Sequence, residues 1–571
     1  MDTVDSLIRA GGVKMAQEMV RRKLPGGDPT FEGVREPGCV YVDKTAVIHK
    51  LITGNWKATF LSRPRRFGKS LLCSTLEALF AGRRELFGEI TGADGAVLRP
   101  ALAIDKLPWD WTDHPVIHLD LSMEDYSDGK VALNSLLESK LRLHATLFGV
   151  TLTDNRVAAL FESLIITTRM AKNRKVVVLI DEYDAPLLDT LEMPKVHEEL
   201  RQSLTAFYKV LKGCSQHLRF VFLTGIAKFP RVSVFSSLNN LRDISMDPEF
   251  ADICGITHDE LLATFGPEIE AVLARTGCDR DAYLDKLRRY YDGYRFTESK
   301  LTVYNPYALL NHFQDRGRFS PYWYDTGTPN YMVQIVEKHG PSILDLGDMR
   351  IGLRDLDVKD AVDVKAEALL FQTGYLTIKD YEAVGETYTL DFPNMEVESA
   401  FYESLINTHI VGASKERYDR TMIESLRAGD VPKLVGAMRT MFAGITYAIQ
   451  KEKHQSFQLV TLTTLKMLKV HCDCEYLTSD GRIDCLIKVP HRVYILEFKI
   501  DSPALEALKQ IDDKEYPLQF EGSGKTVYKV GVSFSGEHRR IVEAAYAVVG
   551  PDGQSVGDVV SISFGIEAST T

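Results

Sequence analysis

Three stretches of this chain place reactive residue types at spacings that can do chemistry. The first is "RPRRFGKS", Arg63-Pro64-Arg65-Arg66-Phe67-Gly68-Lys69-Ser70, followed by Leu71. A G-K-S where a strand turns into a helix aims backbone N–H groups and a positive helix end at one point, and phosphate sits there. Lys69 would reach the β- and γ-phosphates of a nucleotide, and the Ser70 hydroxyl would complete the shell of Mg²⁺. The usual phosphate loop opens with glycine where this one has Arg63. Arg63, Arg65 and Arg66 either add positive charge near the phosphates or pair with acids elsewhere, and Pro64 stiffens the turn. A surface loop that happens to contain G-K-S is the bland alternative.

The second stretch, "KVVVLIDEYDAPL", is a buried strand ending in Asp181-Glu182, the form of a Walker B motif. Asp181 would hold the magnesium through water, and Glu182 would polarise the attacking water. A core strand capped by acids explains the segment alone, but less well in company with the loop. A further strand, "FLTGIAK", places Thr224 where a residue sensing the γ-phosphate would stand, although a polar strand end reads nearly as well.

The third stretch is "GRIDCLIKVPHRVYILEFKI", two apolar runs about a "VPHR" turn, hence a hairpin. Glu497 and Lys499 are two apart and project from one face, while Phe498 points the other way into a core. Asp484 on the partner strand can face them. Two carboxylates and a lysine on apolar strands are costly unless a cation compensates them. Mg²⁺, or Mn²⁺, held by Asp484 and Glu497 would activate water, with Lys499 orienting or deprotonating the nucleophile at a phosphodiester. An exposed edge hairpin with an ordinary Glu/Lys pair is the alternative.

The elements that must position these residues follow from periodicity. "WKATFLSRP", "HPVIHLDLS", "KVVVLIDE" and "LRFVFLTGIA" read as strands, separated by helical stretches such as "KSLLCSTLEALFAGRRELF" and "VHEELRQSLTAFYKVLKG". Short apolar strands alternating with long helices imply a parallel sheet covered on both faces. The expected division is a helical lead over 1–29, the α/β domain over 30–260, a helical and mixed extension rich in aromatics over 261–395, a helical linker over 396–450, and a second α/β unit over 451–571. That last unit reads as helix, hairpin, helix and strand.

The 571 residues carry a net charge of −11, so any nucleic-acid partner must meet a local basic patch. Residues 451–571 hold 14 Lys and Arg against 17 Asp and Glu, a point against a phosphate-gripping unit. Arg482, Lys488, Arg492, Lys525, Lys529, Arg539 and Arg540 are the candidates for a patch. No apolar run reaches the roughly 18 residues of a membrane span. The start, "MDTVDSLIRAGG", lacks the basic head and apolar stretch of a signal peptide, so the cytoplasm is expected. The eight cysteines are scattered; only Cys472 and Cys474 lie close together, with Cys485 nearby, and buried reduced thiols are the simplest account. The aromatics of the extension could stack on bases, but a packed core explains them better.

The D…E-x-K pattern resembles the PD-(D/E)XK nuclease superfamily, whose hairpin is preceded by a helix with an acid, here Glu452, and followed by one with a polar residue, for which "ALEALKQIDDKEY" supplies Gln510 and Tyr516. The proline usual before the first acid is missing. Taken in order, "YVDKT", "RPRRFGKSLL", "LIDEYDAPL", "LTGIAKF", "FSSLNNLRDIS", "YYDGYRF", "YNPYALL", "YDTGTP", "FQTGYLTI", "GRID" and "LEFKI" make the whole chain look like the bacterial AAA-ATPase-like proteins with a C-terminal PD-(D/E)XK domain. In that family arginine at the first loop position is the normal form. The resemblance implies an α/β protein: a P-loop NTPase parallel-sheet domain, a helical middle region and a restriction-endonuclease-like α/β domain. It also implies ATP and Mg²⁺ as cofactors, a DNA or RNA partner and possible homo-oligomers. Arg231 is the one candidate for a residue acting across subunits. The expected function is an ATP-binding, hydrolysing protein coupled to a metal-dependent nuclease, the alternative being an ATP-switched binding protein with an inactive nuclease fold.

Overall fold

Strand β1 (Ala58–Ser62) is buried at all five positions, as a strand covered on both faces must be. The computed structural model describes residues 22–27, 30–93, 95, 97–191, 193–228, 241–324, 349–356, 366–401, 415–443, 471–478, 481–536 and 540–564. It sets β1 in a five-stranded parallel sheet with β2 (Val116–Asp120), β3 (Val176–Asp181), β4 (Leu218–Gly225) and β5 (Leu241–Asp243), in the order β2-β3-β4-β1-β5. Helix α1 (Lys69–Phe80) follows the loop after β1. α2 (Lys130–Phe148) and α3 (Val157–Lys172) join β2 to β3, and α4 (Pro194–Gly213) joins β3 to β4. The four expected strands are all present. β5 escaped the sequence reading because three half-buried residues, "LRD", carry no measurable period.

The strand bearing Asp181 is not beside the loop strand; β4 lies between them. Parallel pairing still brings the C-terminal ends of β3, β4 and β1 to one edge, where open α/β sheets bind ligands.

The extension contains α5 (His258–Thr276), α6 (Arg280–Tyr291) and α7 (Pro306–Gln314). Each starts on a side-chain cap: Thr257, in a capping box with Glu260, then Asp279, then Asn305. A three-stranded antiparallel sheet follows, β6 (Met349–Gly352), β7 (Thr377–Glu382) and β8 (Thr387–Asp391), in the order β6-β8-β7. The chain divides into two compact units, Met1–Gly327 with Gly347–Val397, and Thr328–Leu346 with Glu398–Thr571. Apart from 328–346, the extension therefore shares one unit with the parallel sheet.

In the second unit α8 (Lys415–Ala428) and α9 (Val431–Ala443) accompany a six-stranded sheet. Its strands, in spatial as in chain order, are β9 (His471–Thr478), β10 (Gly481–Val489), β11 (Arg492–Ile500), β12 (Thr526–Ser535), β13 (Arg540–Val549) and β14 (Val560–Ser563). β11 and β12 are parallel, joined through α10 (Ala504–Asp513); the other pairs are antiparallel. The sequence pointed to a hairpin and one strand, and β9, β13 and β14 are additional. β13, "RIVEAAYAVV", mixes small and apolar residues without clean alternation, so its pattern does not declare a strand.

Among the described residues no helix is long and apolar enough to cross a membrane. The helical lead lies outside the described residues apart from 22–27, as do Arg231, Glu452 and Arg539.

One glycine ties the extension to the phosphate loop. Gly374, at φ +90°, has the ring of Pro64 so close that a Cβ would lie 2.7 Å from it and 3.3 Å from Trp323. Gly374→Ala is expected to lower the stability of this unit by about 2–3 kcal/mol, from backbone strain and overpacking together. Denaturant unfolding of the variant against the parent measures it.

Candidate functional site

The loop after β1 is built for an anion. Arg66 and Gly68 both lie in the left-handed region, at φ 63° and 88°, a turn that sets successive N–H groups toward one concavity. Gly68 precedes α1, which has no side-chain cap and no acid in its first turn, so its leading N–H groups and positive end are not neutralised locally. A Cβ on Gly68 would point into open space with no atom within 4 Å. A cavity of about 100 Å³ opens beside it, lined by Val40, Tyr41, Ile48, Phe67, Leu72 and Ile253 among others. Phe67 and Leu72 belong to the loop and α1, whereas Val40, Tyr41, Ile48 and Ile253 come from separate segments that the loop motif does not announce.

Lys69 is buried and donates to the Pro64 carbonyl at 3.2 Å, while its ammonium lies 3.2 Å from the Glu182 carboxylate. Glu182 itself is in the left-handed region, at φ 48°, an uncommon state for a non-glycine residue that gathers at functional sites. Asp181 is buried, accepts a hydrogen bond from the Ser70 hydroxyl, and accepts the Glu182 N–H at 3.0 Å. Burial, with the Glu182 charge beside it, pushes its carboxyl up to about 6. So Lys69, Ser70, Asp181 and Glu182, far apart in sequence, converge at one sheet edge. An Mg²⁺–nucleotide fits this donor set, with a cationic lysine, an anion-seeking helix end and a carboxylate in need of positive charge.

Two expected ligands are corrected. The Arg63 N–H bonds the Gly225 carbonyl, and its fully buried guanidinium donates to the carbonyls of Ser62, Ser245 and Phe250 while packing over the Phe296 ring at 4.2 Å. The terminal nitrogens of Arg63 are thus engaged inside the protein, Nε is buried without a partner among the described residues, and burial lowers the guanidinium pKa to about 10. Thr224 is also fully buried, and its hydroxyl donates to the Leu61 carbonyl at 2.8 Å, tying β4 to β1. Arg65 and Arg66 are exposed. Arg66 lies over the Tyr307 ring, and the Arg65 carbonyl accepts the Trp323 indole N–H at 2.9 Å.

The aromatic extension thus holds the loop. Phe67 meets Tyr294 and Phe296 edge-on, at 4.7 and 5.5 Å, and Gln372 accepts the Lys228 N–H at the end of β4. These aromatics are core, as the packing alternative expected.

In the second unit the two faces of β11 part as the alternation requires. Phe498 joins the core with Met422, Leu426 and Val435 of α8 and α9. The opposite face packs Ile495 against Leu508 and Ile511 of α10. Glu497 and Lys499 lie on this second side. Gln510 of α10 links them: its Oε1 accepts Lys499 Nζ at 2.5 Å and its Nε2 donates to Glu497 at 2.9 Å. The backbone N–H of Asp484 donates to Glu497 at 3.3 Å, and the Asp484 carboxylate accepts the Phe498 N–H at 2.8 Å. Glu497 is 1% exposed. Burial, and then the neighbouring Asp484 with which it shares a hydrogen bond, pushes its carboxyl up to about 8. A buried carboxyl pair that keeps a proton at neutral pH is one that a divalent cation would stabilise in its place, so the donors fit a metal. Tyr516, the other polar candidate, packs instead in the core with Leu508 and Ile511. Of the basic residues, Lys529 pairs with Asp512 at 2.6 Å and Arg492 donates to the Arg427 carbonyl.

A parallel sheet with a phosphate loop after one strand and Asp-Glu after another, followed by a mixed sheet carrying Asp and Glu-x-Lys, defines a two-part class: an ATPase-like unit and a nuclease-fold unit on one chain. Comparison with known proteins agrees. Residues 25–235 match the family described as predicted AAA-ATPase, and residues 450–544 match the PD-(D/E)XK nuclease superfamily. A protein of Azotobacter chroococcum mcd 1, described as an uncharacterized protein in the vnfD 5' region, is 35% identical over 536 residues, covering 92% of this chain and 98% of the relative. The chain belongs to the AAA-ATPase-like family with a C-terminal PD-(D/E)XK domain.

Two outcomes follow. Arg63→Gly, which restores the usual first glycine of the loop, is expected to lower unfolding stability by about 3 kcal/mol, because three buried carbonyls lose a charged donor. Equilibrium unfolding decides it. For Glu497 the folded chain keeps a proton that the unfolded chain releases near 4.5. Metal-free stability of the second unit should therefore fall as pH rises from about 4.5 to about 8, and Glu497→Gln should flatten that slope. Unfolding midpoints across this pH window test the sign.

Proposed function

We propose that this protein is an ATP-gated, metal-dependent nuclease that cuts a DNA or RNA phosphodiester. The observation that carries the reading is the linked array Asp484–Glu497–Gln510–Lys499, in which a fully buried glutamate stands beside a second carboxylate and shares one glutamine with a lysine.

When bound by Asp484 and Glu497, Mg²⁺ or Mn²⁺ supplies charge neutralisation and an activated water. Gln510 holds Lys499 toward the carboxylates, so that its ammonium can orient the nucleophile and offset charge building on the phosphate. At the other site, the phosphates of ATP would take Lys69 from the Pro64 carbonyl and from Glu182. Glu182, released from its ion pair, would then accept a proton from the attacking water. Ser70 and Asp181 would hold the magnesium, and the apolar cavity beside Gly68 would receive the base. In the absence of ATP, the Lys69–Glu182 pair keeps the catalytic carboxylate occupied. That pairing gives the nucleotide site two states, which is what a switch requires.

A second reading, an ATP-switched binding protein with an inactive nuclease fold, draws on the acidic balance of residues 451–571 and on the internal engagement of Lys529 and Arg492. Incubation with single- and double-stranded DNA and RNA, with Mg²⁺ or Mn²⁺ and with or without ATP, separates the two. The expected result is metal-dependent cleavage that responds to ATP and falls at least a hundredfold in Lys499→Ala and Glu497→Gln. Binding without cleavage under every condition would establish the second reading instead. Lys69→Ala should lose ATP binding, whereas Glu182→Gln should bind ATP and fail to turn it over.

A further inference from the structure

Beneath the phosphate loop lies a group of metal-binding side chains of which the nucleotide reading uses only Asp181. Cys73 is on α1, one turn beyond Ser70, and Glu77 is one turn further along the same face. His118 is on β2, the neighbour of β3, with His118 opposite Leu179 and Asp120 opposite Asp181 in register. The ligand atoms of Cys73, His118 and Asp181 all lie within 4.8 Å of one another.

Two features prepare these atoms for a cation. His118 Nδ1 is 2.8 Å from the Glu77 carboxylate, which can only accept, so Nδ1 carries the proton. With Nδ1 so engaged, Nε2 is the ring nitrogen left to meet a cation, and it is buried without a hydrogen-bond partner among the described residues. A carboxylate behind a histidine is the arrangement that orients metal-binding imidazoles. Cys73 is fully buried and Asp181 nearly so, and both belong to elements locked by the sheet. Sulfur, imidazole nitrogen and carboxylate oxygen form a borderline-soft set suited to zinc and unsuited to magnesium, which takes oxygen ligands. Zinc ligands stand about 3.5 Å apart in a tetrahedral shell, so small side-chain rotations close the site.

We propose that Cys73, His118 and Asp181, with Glu77 behind His118, bind a zinc-class divalent cation whose presence excludes Mg²⁺–nucleotide from the phosphate loop. The exclusion rests on reading Asp181 and Ser70 as the magnesium-holding pair. An Asp181 carboxylate bound to zinc would have its charge largely neutralised, and a second divalent cation a few ångströms away on the same carboxylate and Ser70 would be repelled. Such a cation would hold the ATPase-like unit in its nucleotide-free state.

The test uses the full chain without nucleotide, titrated with Co²⁺ and then Zn²⁺. One cobalt per chain should give a sulfur-to-cobalt charge-transfer band that zinc bleaches. Cys73→Ser should abolish the band, His118→Gln should weaken binding at least tenfold, and Glu77→Gln should weaken it about 10- to 100-fold. A Cys472→Ser/Cys474→Ser variant should retain it. No band in the parent chain, or a band that survives Cys73→Ser and His118→Gln, overturns the site. Saturating zinc should weaken Mg²⁺–ATP binding at least tenfold in the parent and leave Cys73→Ser unaffected. Independent binding of the two overturns the exclusion. If Mg²⁺–ATP fails to bind even without zinc, the phosphate-loop reading falls, and the cobalt band alone decides the cation site.

Discussion

The arrangement of the first unit depends on one buried charge. The two terminal nitrogens of the Arg63 guanidinium, removed from water, donate to three backbone carbonyls from β1, the segment after β5 and the Phe250 turn, and the group lies over the face of Phe296, while Nε is left without a partner among the described residues. No carboxylate among the described residues pairs with it. A permanent cation that must find acceptors in the interior can only be housed where chain ends leave carbonyls unbonded. By satisfying them it closes the base of the loop between the sheet and the extension. A glycine in its place would permit the same turn but take this donor from the Ser62 and Ser245 carbonyls, while the Phe250 carbonyl would keep the Ile253 N–H.

From that anchor the role of the extension follows. Tyr294 and Phe296 wedge Phe67, Trp323 bonds the Arg65 carbonyl, Gly374 admits the Pro64 ring and Gln372 holds the chain leaving β4. Residues from three separated segments therefore meet on eight residues of loop. Most phosphate loops are shaped mainly by their own glycines. Here the shape is imposed from outside, so the rigidity of the site resides in the packing of the extension.

The second unit reaches its chemistry by a different route. β11 carries a core on each face, and the carboxylates sit on the face where α10 crosses. Because β11 and β12 are parallel, the chain must cross over between them, and that crossover delivers Gln510 to Glu497 and Lys499. The electrostatic tension of Glu497 beside Asp484 is sustained by this covering helix, which keeps water from relaxing it.

Much of this was legible in the sequence. Apolar runs and their spacing located the four long strands of the parallel sheet, and short-range alternation put Glu497 and Lys499 on one face with Phe498 on the other. These are local facts, set by backbone geometry within a few residues. The function of Arg63, by contrast, could not be read locally, since its acceptors at Ser245 and Phe250 lie nearly two hundred residues away. Thr224 looked like a sensor because strand ends usually face ligand, yet the neighbouring β1 claims its hydroxyl. Nor could the helix spacing of Cys73 and Glu77 reveal His118, which comes from another strand. The sequence by itself determined which residues can bind phosphate or metal and on which local face they stand. Only the tertiary structure decided which of them share a partner, because burial and hydrogen-bond satisfaction are settled between segments that the chain order keeps apart.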